Sequence, residues 1–103
     1  MSTNDQDARG RRATERVEFA CLAWVEGQRD EAISGIARTV DLSSQGVGLL
    51  LATTFEPGVR VTVELLMPAH LRLRASGEVA HVTPATEGFR VGVRFDAPPT
   101  LVD

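Results

Sequence analysis

The chain has 103 residues, 43% of them hydrophobic and 24% charged, which fits one globular domain with a single modest core. Its net charge of −3 argues against general affinity for DNA or RNA, which relies on broad positive charge. No apolar run approaches the roughly 20 residues that cross a bilayer, so membrane insertion is not expected, and a lone Cys21 excludes an internal disulfide or a multi-cysteine metal site.

Residues 1–10 are polar and without periodicity, and read as a flexible N-terminal arm. The same stretch lacks the apolar core of a signal peptide, so a cytoplasmic location is expected. Every basic residue in the chain is arginine, and Arg9, Arg11, Arg12 and Arg16 fall within eight residues. From Val17 onward the pattern is that of β-strands. Val17, Phe19, Cys21, Ala23 and Val25 alternate with Glu18, Ala20, Leu22, Trp24 and Glu26, a period of two with bulk on both faces. Cys21 reads as a small buried residue, and Trp24 as a packing residue rather than a stacking platform.

Gly27-Gln28-Arg29-Asp30 turns the chain into a second strand over about 32–40, with Gly35 as its candidate bulge. Asp41 to Gly46 forms the next turn, followed by an apolar strand over 47–52. Glu56-Pro57-Gly58 reverses the chain again. Val59, Val61, Val63, Leu65 and Met67 then give the cleanest alternation. After Pro68-Ala69-His70, a long strand carries Leu71, Leu73, Ala75, Gly77, Val79 and His81 on one face, with its bend at Gly77. Thr86-Glu87-Gly88 closes a hairpin onto Phe89, Val91, Val93 and Phe95. His81, beside Val79, reads as a core or surface histidine and His70 as a solvated one. Six short strands at near-regular spacing, with no convincing helix, predict an all-β fold, a closed six-stranded antiparallel barrel over 11–97. Residues 98–103 are a short tail.

Two polar signatures carry the functional reading. Arg11-Arg12-Ala13-Thr14-Glu15-Arg16 is an arginine pair with a third arginine four residues on. Asp41-Leu42-Ser43-Ser44-Gln45-Gly46 reads as D-x-S-x-x-G. Guanidinium groups donate paired parallel hydrogen bonds, which suits phosphates and guanine edges. The second signature offers a carboxylate and a hydroxyl at a tight turn, or an Asx or Ser turn that only organises the loop.

In this order, and ahead of a run of strands, the signatures resemble the PilZ domain family of cyclic di-GMP receptors. The likeness spans about Arg11 to Asp96 and includes the Pro57-Gly58 turn, the Gly77-Glu78-Val79 step and the closing Gly92-Val93-Arg94-Phe95. It implies a six-stranded barrel and assigns ligand contacts to Arg12, Arg16, Asp41, Ser43 and Gly46. Arg11 matches the additional arginine that in this family accompanies two cyclic di-GMP molecules per chain. The resemblance further implies an arginine arm that becomes ordered on the nucleotide and an effector protein that reads the change. It names no cofactor, metal or catalytic residue. Catalysis is not expected, because two histidines and one cysteine lack metal-ligand spacing and no nucleophile elbow or phosphate-cradling loop is present. The competing expectation is a barrel of the same type that binds no nucleotide and serves as a protein-interaction module.

Overall fold

A computed structural model describes residues 17–18, 20–28, 34–53 and 55–102. The sequence-predicted flexible arm and the arginines Arg11, Arg12 and Arg16 lie outside the described residues. The strands are β1 (Val17–Glu18), β2 (Leu22–Gly27), β3 (Ser34–Leu42), β4 (Gly46–Leu51), β5 (Arg60–Leu66), β6 (Arg72–Pro84), β7 (Phe89–Phe95) and β8 (Thr100–Leu101). Six of them form the ring β3-β2-β5-β6-β7-β4, which closes through a β3–β4 ladder. Every pairing is antiparallel. The expected closed barrel is therefore the observed one. Closure pairs the backbone edges that an open sheet of such apolar strands would leave available for aggregation.

Alternation builds the core. Ala23 and Val25, Val47, Leu49 and Leu51, Val61, Val63 and Leu65, and Val91, Val93 and Phe95 all point inward and are buried. Phe55, from the β4–β5 connection, is also part of this cluster. Each fully buried valine or leucine contributes on the order of 1.5–3 kcal/mol relative to exposure. The one helical turn among the described residues is the 3₁₀ segment Pro68–His70, and no helix there is long and apolar enough to cross a membrane.

The structure departs from the sequence pattern at particular points. The single expected first strand is split into β1 and β2. Leu22 lies opposite Arg38 while Glu18 lies opposite Asp41, so three residues on one side face two on the other and the ladder cannot run through. Thr39 fills that gap. Its buried hydroxyl accepts from the Cys21 N–H at 2.8 Å, and its own N–H donates to the Cys21 carbonyl at 2.9 Å.

The expected bulge is not at Gly35, and Gly77, read as a bend, interrupts no ladder. Gly35 pairs in register with Val25, and Gly77 with Val61 and Phe95. The register shifts instead between Thr39 and Asp41 and between Val79 and His81. Trp24 lies on the outer wall, 43% exposed, where it opposes Ile36. Leu22 opposes Leu66 beside it, and both are also exposed. The C-terminal tail contributes structure too, since Thr100–Leu101 pairs with β6 at Arg74 and Leu73.

Because Leu49 is fully buried between the walls of the ring, Leu49→Ala is expected to destabilise the fold by about 2–5 kcal/mol. Urea denaturation followed by far-ultraviolet circular dichroism measures that loss.

Candidate functional site

The pairing of β1 with β3 sets the layout. Val17 lies opposite Leu42 and Glu18 opposite Asp41. Arg16 is bonded directly to Val17, so the chain that carries the arginine signature joins the barrel beside the D-x-S-x-x-G signature.

Asp41 and Leu42 belong to β3 rather than to a turn, leaving Ser43, Ser44 and Gln45 to make the reversal into β4. Ser43 is buried, and its hydroxyl is turned onto the loop backbone. It accepts from the Gln45 N–H at 3.1 Å and the Gly46 N–H at 3.2 Å, and donates to the Gly46 carbonyl at 3.4 Å. The Ser43 N–H donates to the same carbonyl at 2.9 Å. Two residues are thus fastened by one side chain. Gly46 has a packing reason of its own, because a Cβ there would lie 2.5 Å from the Val93 carbonyl oxygen. Its lack of a side chain lets β4 approach β7.

Asp41 reaches the outer wall through a bulge. Thr39 points into the core, and strict alternation would send Asp41 the same way. The extra residue Val40 shifts the register, so that Asp41 opposes Gly48 and its carboxylate lies outside. Bulges re-aim side chains in this manner. The Asp41 Oδ1 sits 2.9 Å from the point where a Gly48 Cβ would be; only glycine leaves that space to the carboxylate.

Among the described residues, one cation meets this acid directly, and others stand on the same strands. Arg90 on β7 donates from Nη2 to Asp41 Oδ2 at 3.4 Å. Arg38 on β3 and Arg90 both pair with Leu50 of β4, one from each side. Among the described residues, Arg38 is the arginine with no ion-pair partner. Arg94 opposes Gly46 and reaches Glu78 at 3.7 Å. Arg60 donates to Asp96, with Nη1–Oδ1 at 3.0 Å, and its guanidinium holds the Asp96 carboxyl below the usual aspartate range. That pair ties the start of β5 to the end of β7, where the Phe95 N–H donates to the Gln45 carbonyl at 2.8 Å. A groove of about 790 Å³ adjoins the wall, lined by Arg38, Leu50, Leu51 and residues 85–88.

The structure therefore places Asp41, Ser43 and Gly46 along one strand–turn–strand segment, with Arg90 beside Asp41 and with Arg38 and Arg94 on β3 and β7. Alternation along the last strand already marked Arg90 and Arg94 as outward. Which strand they would neighbour became visible only in the register. Among the described residues, no group of three or more His, Cys, Asp or Glu side chains is placed to hold a metal ion.

Comparison with known proteins agrees with the architecture. The fold is similar to that of the Bacillus subtilis inhibitor of motility MotI/DgrA, with a TM-score of 0.72 and 13% identity. That match covers 85% of this chain but 44% of the other, so the chain spans less than half of that protein. It is also similar to the PilZ domain of CeSA from a cellulose-synthesizing bacterium, with a TM-score of 0.60, 15% identity, and 78% and 79% of the two chains covered. No curated protein sequence matches. A family model described as PilZ domain matches residues 10–102, nearly the whole chain including both polar signatures, and the chain therefore belongs to the PilZ domain family.

Proposed function

We propose that this chain is a receptor for cyclic di-GMP that binds the nucleotide on the outer wall around Asp41 and passes the signal to a partner protein. The observation that carries this reading is the pairing of Val17, the residue after the arginine signature, with Leu42 of the D-x-S-x-x-G signature. The roles follow from the chemistry. Arg12 and Arg16 meet guanine O6 and N7 or the phosphates through bidentate hydrogen bonds, each contributing about 1–3 kcal/mol of discrimination. Asp41 accepts from the guanine N1 and N2 donors. Ser43 keeps the turn in the shape that presents Asp41. Arg38 and Arg90 add positive charge for the ligand's phosphates, and Arg11 supports a second nucleotide. The reading is one of binding, not catalysis, in the cytoplasm where such a messenger would be met.

Binding also acts on the chain. Fixing a residue costs roughly 1–2 kcal/mol in backbone entropy, and a micromolar ligand supplies about 8 kcal/mol net. We infer that the nucleotide holds residues 9–16 against the barrel and so reshapes a surface that the partner reads. The exposed wall of Leu22, Trp24, Ile36 and Leu66 is apolar enough to serve that contact.

Isothermal titration with cyclic di-GMP tests the receptor. The unmodified protein is expected to bind, Arg12→Ala and Arg16→Ala to abolish the heat, and Asp41→Asn to weaken binding at least about tenfold. A folded protein that gives no heat at saturating nucleotide leaves the interaction-module reading in its place. Ser43→Ala separates loop support from the ligand, because two partly buried N–H groups lose their acceptor. Its unfolding free energy should fall by about 1–3 kcal/mol without any nucleotide present. For the closing arm, saturating cyclic di-GMP should slow proteolytic cleavage within residues 9–16. An unchanged cleavage rate would overturn that part.

A further inference from the structure

The wall that carries Asp41 has a second bulge, and the two are matched. On β3, Val40 is the extra residue between Thr39, opposite Leu49, and Asp41, opposite Gly48. On β6, Ala80 is the extra residue between Val79, opposite Val93, and His81, opposite Gly92. Gly48 and Gly92 are themselves directly paired across β4 and β7. Both bulges therefore act at one level of the barrel, on the two strands that flank the β4–β7 ribbon. Each turns outward the residue that alternation would have sent into the core.

The two re-aimed side chains lie over the ribbon from opposite sides. The Asp41 carboxylate takes the space of a Gly48 Cβ, and the His81 imidazole takes that of a Gly92 Cβ. Both His81 ring nitrogens are 2.7 Å from that point, with Cε1 closer still. Three ring atoms so near one position put the ring across Gly92 rather than end-on to it. His81 remains exposed, so its outer face is open. With adjacent strands about 4.8 Å apart, β3 and β6 are separated by about 14 Å along the wall. No side chain rises from the two glycines between Asp41 and His81.

We propose that His81 is a further binding residue of this wall, an aromatic platform on which a purine of the ligand stacks while Asp41 holds the hydrogen-bonding edge of the nucleotide. The assignment rests on the receptor reading. It adds a preference for a flat base at the end of the site opposite the carboxylate. A planar ring lying on a bare stretch of backbone offers its π-face to any base. A guanine spanning from Asp41 reaches it without crossing an intervening side chain.

Isothermal titration with cyclic di-GMP on three proteins tests this. His81→Ala should weaken binding about tenfold relative to the unmodified chain, while His81→Phe, which keeps an aromatic face, should stay within about threefold. In the unmodified protein, the His81 ring protons should move upfield in the NMR spectrum as nucleotide is added. Thermal unfolding of the unliganded variants monitors folding, and the exposed position of His81 means both should melt close to the unmodified protein. If the unmodified protein binds and His81→Ala binds equally well, the platform is wrong and the receptor stands. Should His81→Phe bind as weakly as His81→Ala, stacking is overturned. If the unmodified protein does not bind, the receptor reading and the platform fall together.

Discussion

The ladder between β3 and β4 is the constraint on which the rest of this molecule depends. It turns six apolar strands into a closed ring, and it runs along the strand that carries Asp41 near its end. Ring closure fixes the register on both sides of β4. It also fixes where the one extra residue, Val40, must go. The wall that carries Asp41 is therefore not an addition to the barrel. The misfit that re-aims Asp41 also breaks the first strand into two pieces, and the Thr39 hydroxyl satisfies the Cys21 N–H left beside the break.

Much of this was legible in the residues. Alternation through Val59 to Met67 and through Phe89 to Phe95 has no competing helical period, and those strands form with their inner faces as read. The D-x-S-x-x-G spacing fixed a turn, and Ser43 and Gly46 are placed at its two ends. What could not be read was the register. A bulge costs one residue and has no required side chain, so Val40 and Ala80 look like ordinary strand positions. Glycine drew attention at Gly35 and Gly77, yet both pair regularly. A period of two puts His81 on the face of Val79, because it cannot register an inserted residue. Trp24 follows the alternation instead: its position between Ala23 and Val25 sends it outward, where it packs beside Ile36.

Electrostatics and packing are divided between the two faces of the same strands. Inside, the buried set among the described residues is aliphatic and aromatic apart from Thr39 and Ser43, whose hydroxyls are hydrogen-bonded. Outside, Arg90 meets the Asp41 carboxylate, while Arg38 and Arg94 stand further along the same two strands, β3 and β7, on a protein whose net charge is negative. Local geometry rather than total charge decides what such a wall attracts. Contact with a small dianion requires only a few converging guanidinium groups, whereas long polyanions sense the whole surface. The Ser43 network keeps that wall in shape, because it satisfies the turn's N–H groups from within and leaves the carboxylate of Asp41 on the outside.

Trp24 has an optical consequence. It is the sole indole in a chain without tyrosine, so nearly all ultraviolet emission arises from one ring on the outside of β2. That ring already meets solvent in the native state, at 43% exposure. Loss of the interior therefore changes its surroundings little, and emission wavelength is a poor gauge of whether the barrel is intact. The same ring is well placed to sense anything that settles on the Leu22, Ile36 and Leu66 wall, where covering it would shift its colour toward the blue.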